Sequence, residues 1–166
     1  IIIIPARKNS KTIKNKKIKK FSKKPLIYWT IKLAIASKLG LVCVSTDCKK
    51  IAAEGIKFGA KVPFFRPSSL AIDTAPEWKV WQHALKFYYK KNIFPSILVI
   101  LSTTAPLRKV DNINSALKIY NDSSCDGVIS VTDCYRNPTF NMVKQDEQNF
   151  AELAIPPKEN IYRTQD

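Results

Sequence analysis

At 166 residues, 45% hydrophobic and 10% aromatic, the chain is long enough to bury a core, and its composition excludes wholesale disorder. It has 28 lysines and arginines against 13 aspartates and glutamates, a formal net charge of +15, and 12 of the cations fall in residues 1–46, which hold no acidic residue. A basic segment on a near-neutral remainder points to a particular anionic partner rather than to general stickiness.

Ile1–Ile4 is an unbroken apolar run and predicts a strand buried on both faces. Pro25–Lys38 predicts a helix, with Leu26, Ile27, Thr30, Ile31, Ala34 and Ile35 on its apolar stripe. Leu41–Ser45 is the second strand. Asp47 then serves as N-cap for a helix over Cys48–Phe58 that stops near Gly59. Lys61–Phe65 is the third strand. Thr74-Ala-Pro-Glu77 has the form of a capping box and opens a helix over Pro76–Lys91. In that helix Trp78, Trp81, Ala84, Leu85 and Tyr88 recur at helical spacing and read as core. Ser96–Leu101 is the fourth strand, Asp111 caps a helix over Asn112–Tyr120, and Gly127–Val131 is the fifth strand.

Strand and helix in alternation predict an α/β fold: a Rossmann-like open, mostly parallel sheet flanked by helices on both faces. Ligands of such sheets bind beyond the carboxyl ends of the strands, which singles out the loops 5–24, 45–48, 66–75 and 102–110. From about Tyr135 the pattern gives way to polar and proline-rich sequence. The expected division is therefore an α/β domain over 1–134 and the start of an arm or subunit contact over 135–166. The chain opens without Met inside a strand-like run and ends at Arg163-Thr-Gln-Asp166 with no stop signal, so a longer parent chain is expected.

Cys43, Cys48, Cys125 and Cys134 form no CxxC pair, and His83 is the one histidine, which argues against a zinc site and a nucleophile triad. Cys43 lies inside an apolar strand and reads as a small buried hydrophobe. Reduced thiols and a cytoplasmic setting are expected, and the opening IIII is too short to span a membrane.

Between Arg7 and Lys24 the first loop carries ten positive charges and no negative one. Neither GxxxxGK[ST] nor GxGxxG occurs. By charge alone the loop fits three roles: a cradle for a phosphate chain, a solvated basic loop, or a patch for nucleic acid or anionic membrane. Its place in the first βα loop favours the first. Phe21 is the sole aromatic in the run, which disfavours nucleic acid.

Ile3-Ile4-Pro5-Ala6-Arg7-x-Asn9-Ser10-Lys11-x-Ile13 resembles the opening of the CMP-sialic acid synthetases, cytidylyltransferases that activate nonulosonic acids. Val44-Ser-Thr-Asp47, Arg66-Pro-x-x-Leu70-Ala-x-Asp73-Thr-Ala75, Leu101-x-x-Thr104-x-Pro106-Leu-Arg108, Ser130-Val131 and Arg163-x-Gln165-Asp166 match further family motifs in order. The resemblance implies a fold of the nucleotide-diphospho-sugar transferase type and an enzyme that joins CTP to a nine-carbon keto sugar acid, releasing pyrophosphate with Mg²⁺. It implies that Arg7, Lys11 and Lys16 hold the triphosphate and stabilise charge as pyrophosphate departs, with Ala6, Asn9 and Ser10 lining the same loop. Arg66 would bond the cytosine ring beside Ala75. Ser102, Thr104 and Arg108 would meet the sugar acid, together with Arg163 from the tail of a partner subunit in a homodimer.

Several positions depart from the family pattern. Lys8 and Thr12 replace glycines, Lys14 a proline, Lys17 an asparagine, Glu77 a serine near the cytosine, and Ser102 the sugar-binding glutamine. Asp73 and Thr74 also suit a helix cap, and Arg108 an ion pair behind the residues that would touch the sugar acid. The family's metal-binding aspartates lie in a segment beyond residue 166. The rival from another class is a non-catalytic nucleotide- or nucleic-acid-binding α/β domain; a third reading is a nucleotidyltransferase for another keto-deoxy sugar.

Overall fold

The computed structural model describes residues 1–8, 13, 15–131 and 142–156. The chain divides into two compact units, Ile1–Val128 and Ile129–Asp166. In the first unit β1 (Ile2–Pro5) is followed by a 3-10 turn (Lys16–Ile18), a small hairpin of β2 (Lys20–Phe21) and β3 (Lys24–Pro25), and α1 (Leu26–Ala36). Then come β4 (Val42–Ser45), α2 (Lys49–Lys57), α3 (Glu77–Tyr89), β5 (Val99–Ile100) and α4 (Val110–Asp122).

The sheet is parallel with order β4-β1-β5, and Ile2, Ile3 and Ile4 pair with Val42, Cys43 and Val44. Two isolated parallel bridges, Cys43 to Lys61 and Thr46 to Phe65, bring the third predicted strand alongside β4. Pro63 has no N–H to give, which explains bridges at the two ends of this stretch in place of a continuous ladder. The loops after β1, β4, β5 and residue 65 all leave from one carboxyl edge.

Alternation along β1 sorts the core into two layers. Ile2 and Ile4 pack with Ile27 and Ile31 of α1, Ile51 of α2 and Ile113 of α4, while Ile3 meets Cys43 and Ala84 and Tyr88 of α3. Helices therefore cover both faces, and all three isoleucines are fully buried. α2 ends in a Schellman arrangement: Ala60 N–H donates to Gly55 O (3.0 Å) and Gly59 N–H to Ile56 O (3.0 Å), with Gly59 at φ +99°.

Some local expectations are corrected. Cys48, not Asp47, is the N-cap of α2, because the Asp47 carboxylate turns toward the first loop and accepts the Lys8 N–H at 2.8 Å. α3 begins at Glu77 itself, so Glu77 stands at the first helical position rather than the third and the Thr74–Glu77 box does not form. α4 starts two residues earlier than read: Asp111 lies within its first turn, and the Asn112 side chain accepts the Lys109 N–H at 2.8 Å. The buried stripe of α3 is Val80, Ala84 and Tyr88, whereas Trp78 is 50% exposed beside the Lys79 ammonium. Ile35 lies on the exposed side of α1.

Gly127–Val131 forms no strand; the division between the units falls after Val128, and no described segment offers the run a ladder. In the second unit β6 (Val143–Gln145) and β7 (Ala151–Leu153) make an antiparallel hairpin. Its turn is organised by the Asp146 carboxylate, which accepts the N–H groups of Gln148 and Phe150 at 3.0 and 2.8 Å. Among the described residues no helix is long and apolar enough to cross a membrane.

Candidate active site

The carboxyl edge of β1 is where the first loop meets the segment after residue 65. Ala6, fully buried, donates its N–H to Ser45 O at 2.9 Å and so fixes the exit of the loop to the end of β4. Arg7 follows and forms an ion pair with Asp73, Nη2 to Oδ1 at 2.6 Å. Asp73 therefore ties the first loop to the 66–75 segment, a role the cap reading misses. Asp47 adds a second tie through Lys8. Both carboxylates steady backbone that carries the basic loop.

Arg66 is 6% exposed. Its N–H donates to Thr46 O at 2.8 Å, its Nη2 to Ser45 O at 2.6 Å and its Nε to Ser45 Oγ at 3.3 Å. A surface ion pair is thus excluded for this residue. Burial above all, aided by the charge of Arg7 and opposed by Asp47 and Glu77, lowers its pKa to about 10. Lys16 and Lys17 stand half-buried on the 3-10 turn. Burial, then Lys16, Arg7 and Arg66, push the Lys17 ammonium down to about 8, against the pull of Glu77. Lys17 thus feels the like charges of Lys16, Arg7 and Arg66 against Glu77, and Arg66 feels Arg7 against Asp47 and Glu77.

The loop after β5 holds the other candidates. Ser102 Oγ and Thr104 Oγ1 lie 2.7 Å apart, and Thr104 N–H donates to Ser102 Oγ at 3.3 Å. Thr103 between them is fully buried, and its hydroxyl has no partner among the described residues. Arg108 is half-buried, its Nη1 likewise lacks a partner, and burial lowers its pKa. Both orphaned groups are suited to a polar ligand, since a buried donor left unpaired is costly. Ala75 sits half-buried in the 66–75 loop. Asn9, Ser10, Lys11 and Arg163 lie outside the described residues.

His83 packs edge-on against Phe64 at 5.0 Å, and burial together with the charge of Arg66 lowers its pKa. Burial raises Cys43 to about 11, so it stays a thiol; Cys43, Cys48 and Cys125 are all free. Among the described residues no three His, Cys, Asp or Glu side chains gather to hold a metal ion. At this edge Asp73 is engaged by Arg7 and Asp47 by the Lys8 N–H, so these two carboxylates do not fit Mg²⁺.

The model of a family described as cytidylyltransferase matches residues 1–152. The chain belongs to the cytidylyltransferase family. A Legionella pneumophila relative, CMP-N,N'-diacetyllegionaminic acid synthase, is 32% identical over 173 residues, covering 98% of this chain and 73% of that protein. Post-translational flagellin modification protein B of Campylobacter coli is 35% identical over 85% of this chain and 61% of its own length. An Escherichia coli N-acylneuraminate cytidylyltransferase is 35% identical over 80% of this chain and 31% of its own length. This cytidylyltransferase-family chain thus spans between 31% and 73% of these curated relatives. Among solved structures, a CMP:2-keto-3-deoxy-manno-octonic acid synthetase complexed with CTP aligns with a TM-score of 0.60 at 20% identity, over 74% of this chain and 47% of that one. A cytidylyltransferase of Leptospira borgpetersenii gives 0.55 at 23% identity, over 74% and 49%. Both likenesses support the α/β fold.

Proposed function

We propose that this chain carries the nucleotide site of an enzyme that joins CTP to a nonulosonic sugar acid and releases pyrophosphate. The observation that carries the reading is the convergence of Arg7, Lys16, Lys17 and buried Arg66 at the carboxyl edge of the central strand. In-line attack of the sugar's anomeric hydroxyl on the α-phosphorus calls for positioning and charge neutralisation more than for covalent catalysis, and this edge supplies both. Arg7, Lys11 and Lys16 would grip the triphosphate, with Ala6, Asn9 and Ser10 lining the loop. Arg66 and Ala75 would face the cytosine. Ser102, Thr104 and Arg108 would receive the sugar acid, the Arg108 guanidinium answering its carboxylate. Relatives named for legionaminic, pseudaminic and N-acylneuraminic acids support that substrate class.

A homodimer in which Arg163 completes the sugar site of its partner, a cytoplasmic setting, and the division into a nucleotide domain over 1–134 and an arm over 135–166 belong to the same proposal. A Mg²⁺ requirement does too, with its protein ligands outside the described residues. The test is calorimetric titration with CTP, ATP and GTP, then pyrophosphate release across a panel of keto sugar acids. Lys11→Ala and Arg66→Ala are each expected to weaken CTP at least tenfold, about 1.4 kcal/mol. Unchanged affinity in both would remove the nucleotide assignment.

A further inference from the structure

The β2–β3 hairpin, the outer side of α1 and the end of α2 share a surface of rings and lysines. Phe21 is 42% exposed and meets Trp29 edge-on at 6.4 Å. Trp29 in turn meets Tyr28 at 5.2 Å, and Tyr28 meets Phe58 at 4.9 Å. Two ammonium groups lie over this row, each 5.6 Å from a ring centre: Lys24 Nζ above Tyr28 and Lys57 Nζ above Phe58. Lys24 is the cross-strand partner of Phe21, so both stand on one face of the hairpin. Lys32 and Ile35 follow Tyr28 at i+4 and i+7 along α1, and both are exposed. The hairpin and α1 contain no acidic residue, and Glu54, the one in α2, is half-buried.

A single exposed ring is ordinary, whereas a continuous row rimmed by charge of one sign marks a surface of interaction. The sign makes the partner an anion, and the ring geometry narrows its kind. Nucleic-acid bases stack on open ring faces. Here the rings cross at 77–86°, and ammonium groups cover Tyr28 and Phe58. A membrane interface asks instead for a protruding apolar tip, amphipathic rings behind it and lysines at headgroup level. Phe21 is that tip, and Trp29 is fixed behind it because its Nε1 donates to Phe21 O at 2.9 Å. Rings already held in place lose little freedom on docking. We propose that this face docks on an anionic phospholipid bilayer. Phe21 enters the boundary between headgroups and acyl chains, while Lys24, Lys32 and Lys57 meet the lipid phosphates. The contact uses no residue assigned above to CTP or to the sugar acid.

The experiment is sedimentation of the chain with sucrose-loaded vesicles of phosphatidylcholine, alone or with about 30% phosphatidylglycerol, in about 100 mM salt. Wild type is expected to sediment with the vesicles that contain phosphatidylglycerol and to stay in solution with the others. Lys24→Gln, Lys32→Gln and Lys57→Gln together should weaken binding about a hundredfold. Lys24→Arg, Lys32→Arg and Lys57→Arg together should keep it, which separates a charge effect from damage to the fold. Phe21→Ser should weaken it about tenfold. Lys86→Gln, Lys90→Gln and Lys91→Gln together remove the same charge from in and just beyond α3, which covers the other face of the sheet. That variant should lose less than about threefold. The proposal is overturned if wild type does not respond to phosphatidylglycerol, if the α3 variant loses as much as the first glutamine variant, or if Phe21→Ser matches wild type. A single-stranded oligonucleotide bound more tightly than the vesicles in the same salt would give the face to nucleic acid and overturn it as well.

Discussion

Arg66 and Lys17 show how one edge can hold a buried and a half-buried cation by different means. Arg66 spends its planar fork on Ser45, so its charge is partly satisfied by a carbonyl and a hydroxyl at the end of β4. Lys17 has no such partner among the described residues, and its partial burial is a standing cost to the folded state. The sign follows from linkage: its pKa is about 8 folded and near 10.5 unfolded, so between those values the unfolded chain holds more protons. Wild type should therefore gain stability as pH rises from about 8 to about 10.5, relative to Lys17→Met. Melting the two side by side across that range checks it. The expected outcome is a mutant more stable at neutral pH whose advantage shrinks with rising pH; a constant difference would mean that Lys17 is not buried as a cation. Arg7 and Arg66 stand out in the sequence as motif residues, but some of their partners do not. Asp47 and Asp73 read as caps because the same carboxylate types serve helix ends and ion pairs, and spacing alone does not say which. The clue lay in placement: both lie within loops already assigned to the ligand edge.

At the scale of the element, the central strands and four helices are legible because their burial is one-sided or complete. Ile2–Ile4 has no polar residue to alternate with, and α1 and α2 carry stripes that end where Ser37 and Gly59 close them. Gly127–Val131 is misread because an apolar run predicts burial, whereas a strand also needs a neighbour to bond. The β2–β3 hairpin leaves little trace for another reason. Its two loop residues, Ser22 and Lys23, sit at φ 47° and 69°, the positive-φ pair of a type I′ turn that ordinarily takes Asn-Gly. Neither residue type announces that conformation. The strain is held because Trp29 Nε1 donates to Phe21 O at 2.9 Å and Leu26 N–H to Lys19 O at 2.9 Å, clamping the hairpin between the Lys16–Ile18 turn and α1. Lys23→Gly should therefore stabilise the chain by about 0.5–1 kcal/mol, whereas Lys23→Val should destabilise it. Thermal melting decides the matter; a lower melting point for Lys23→Gly would mean that the turn is not left-handed at this residue.

For the whole molecule, the question is whether the charge of the chain or the geometry of one edge selects the ligand. Residues 1–46 carry 12 cations and no anion, enough to attract any polyanion at low salt. Most of these lysines are exposed, among them Lys19, Lys20, Lys23, Lys24, Lys32 and Lys38, whereas Arg66 is buried and Arg7, Lys16 and Lys17 are partly so. Exposed charges are screened over about 8–10 Å at ordinary ionic strength, and buried ones much less. The two populations should therefore separate by salt. Affinity for a short DNA duplex is expected to fall steeply between about 50 and 200 mM salt, by ~10³ if six phosphates are contacted. CTP affinity should fall by less than about tenfold over the same range, and the preference for CTP over ATP and GTP should hold at both ends. Parallel titrations of the same preparation, with the triple variant Lys19→Ser, Lys20→Ser and Lys24→Ser as the control, assign the effect. The variant should lose DNA affinity and keep CTP affinity. If DNA binding instead survives high salt while CTP preference vanishes, the basic segment is the functional surface and the rival nucleic-acid reading takes over.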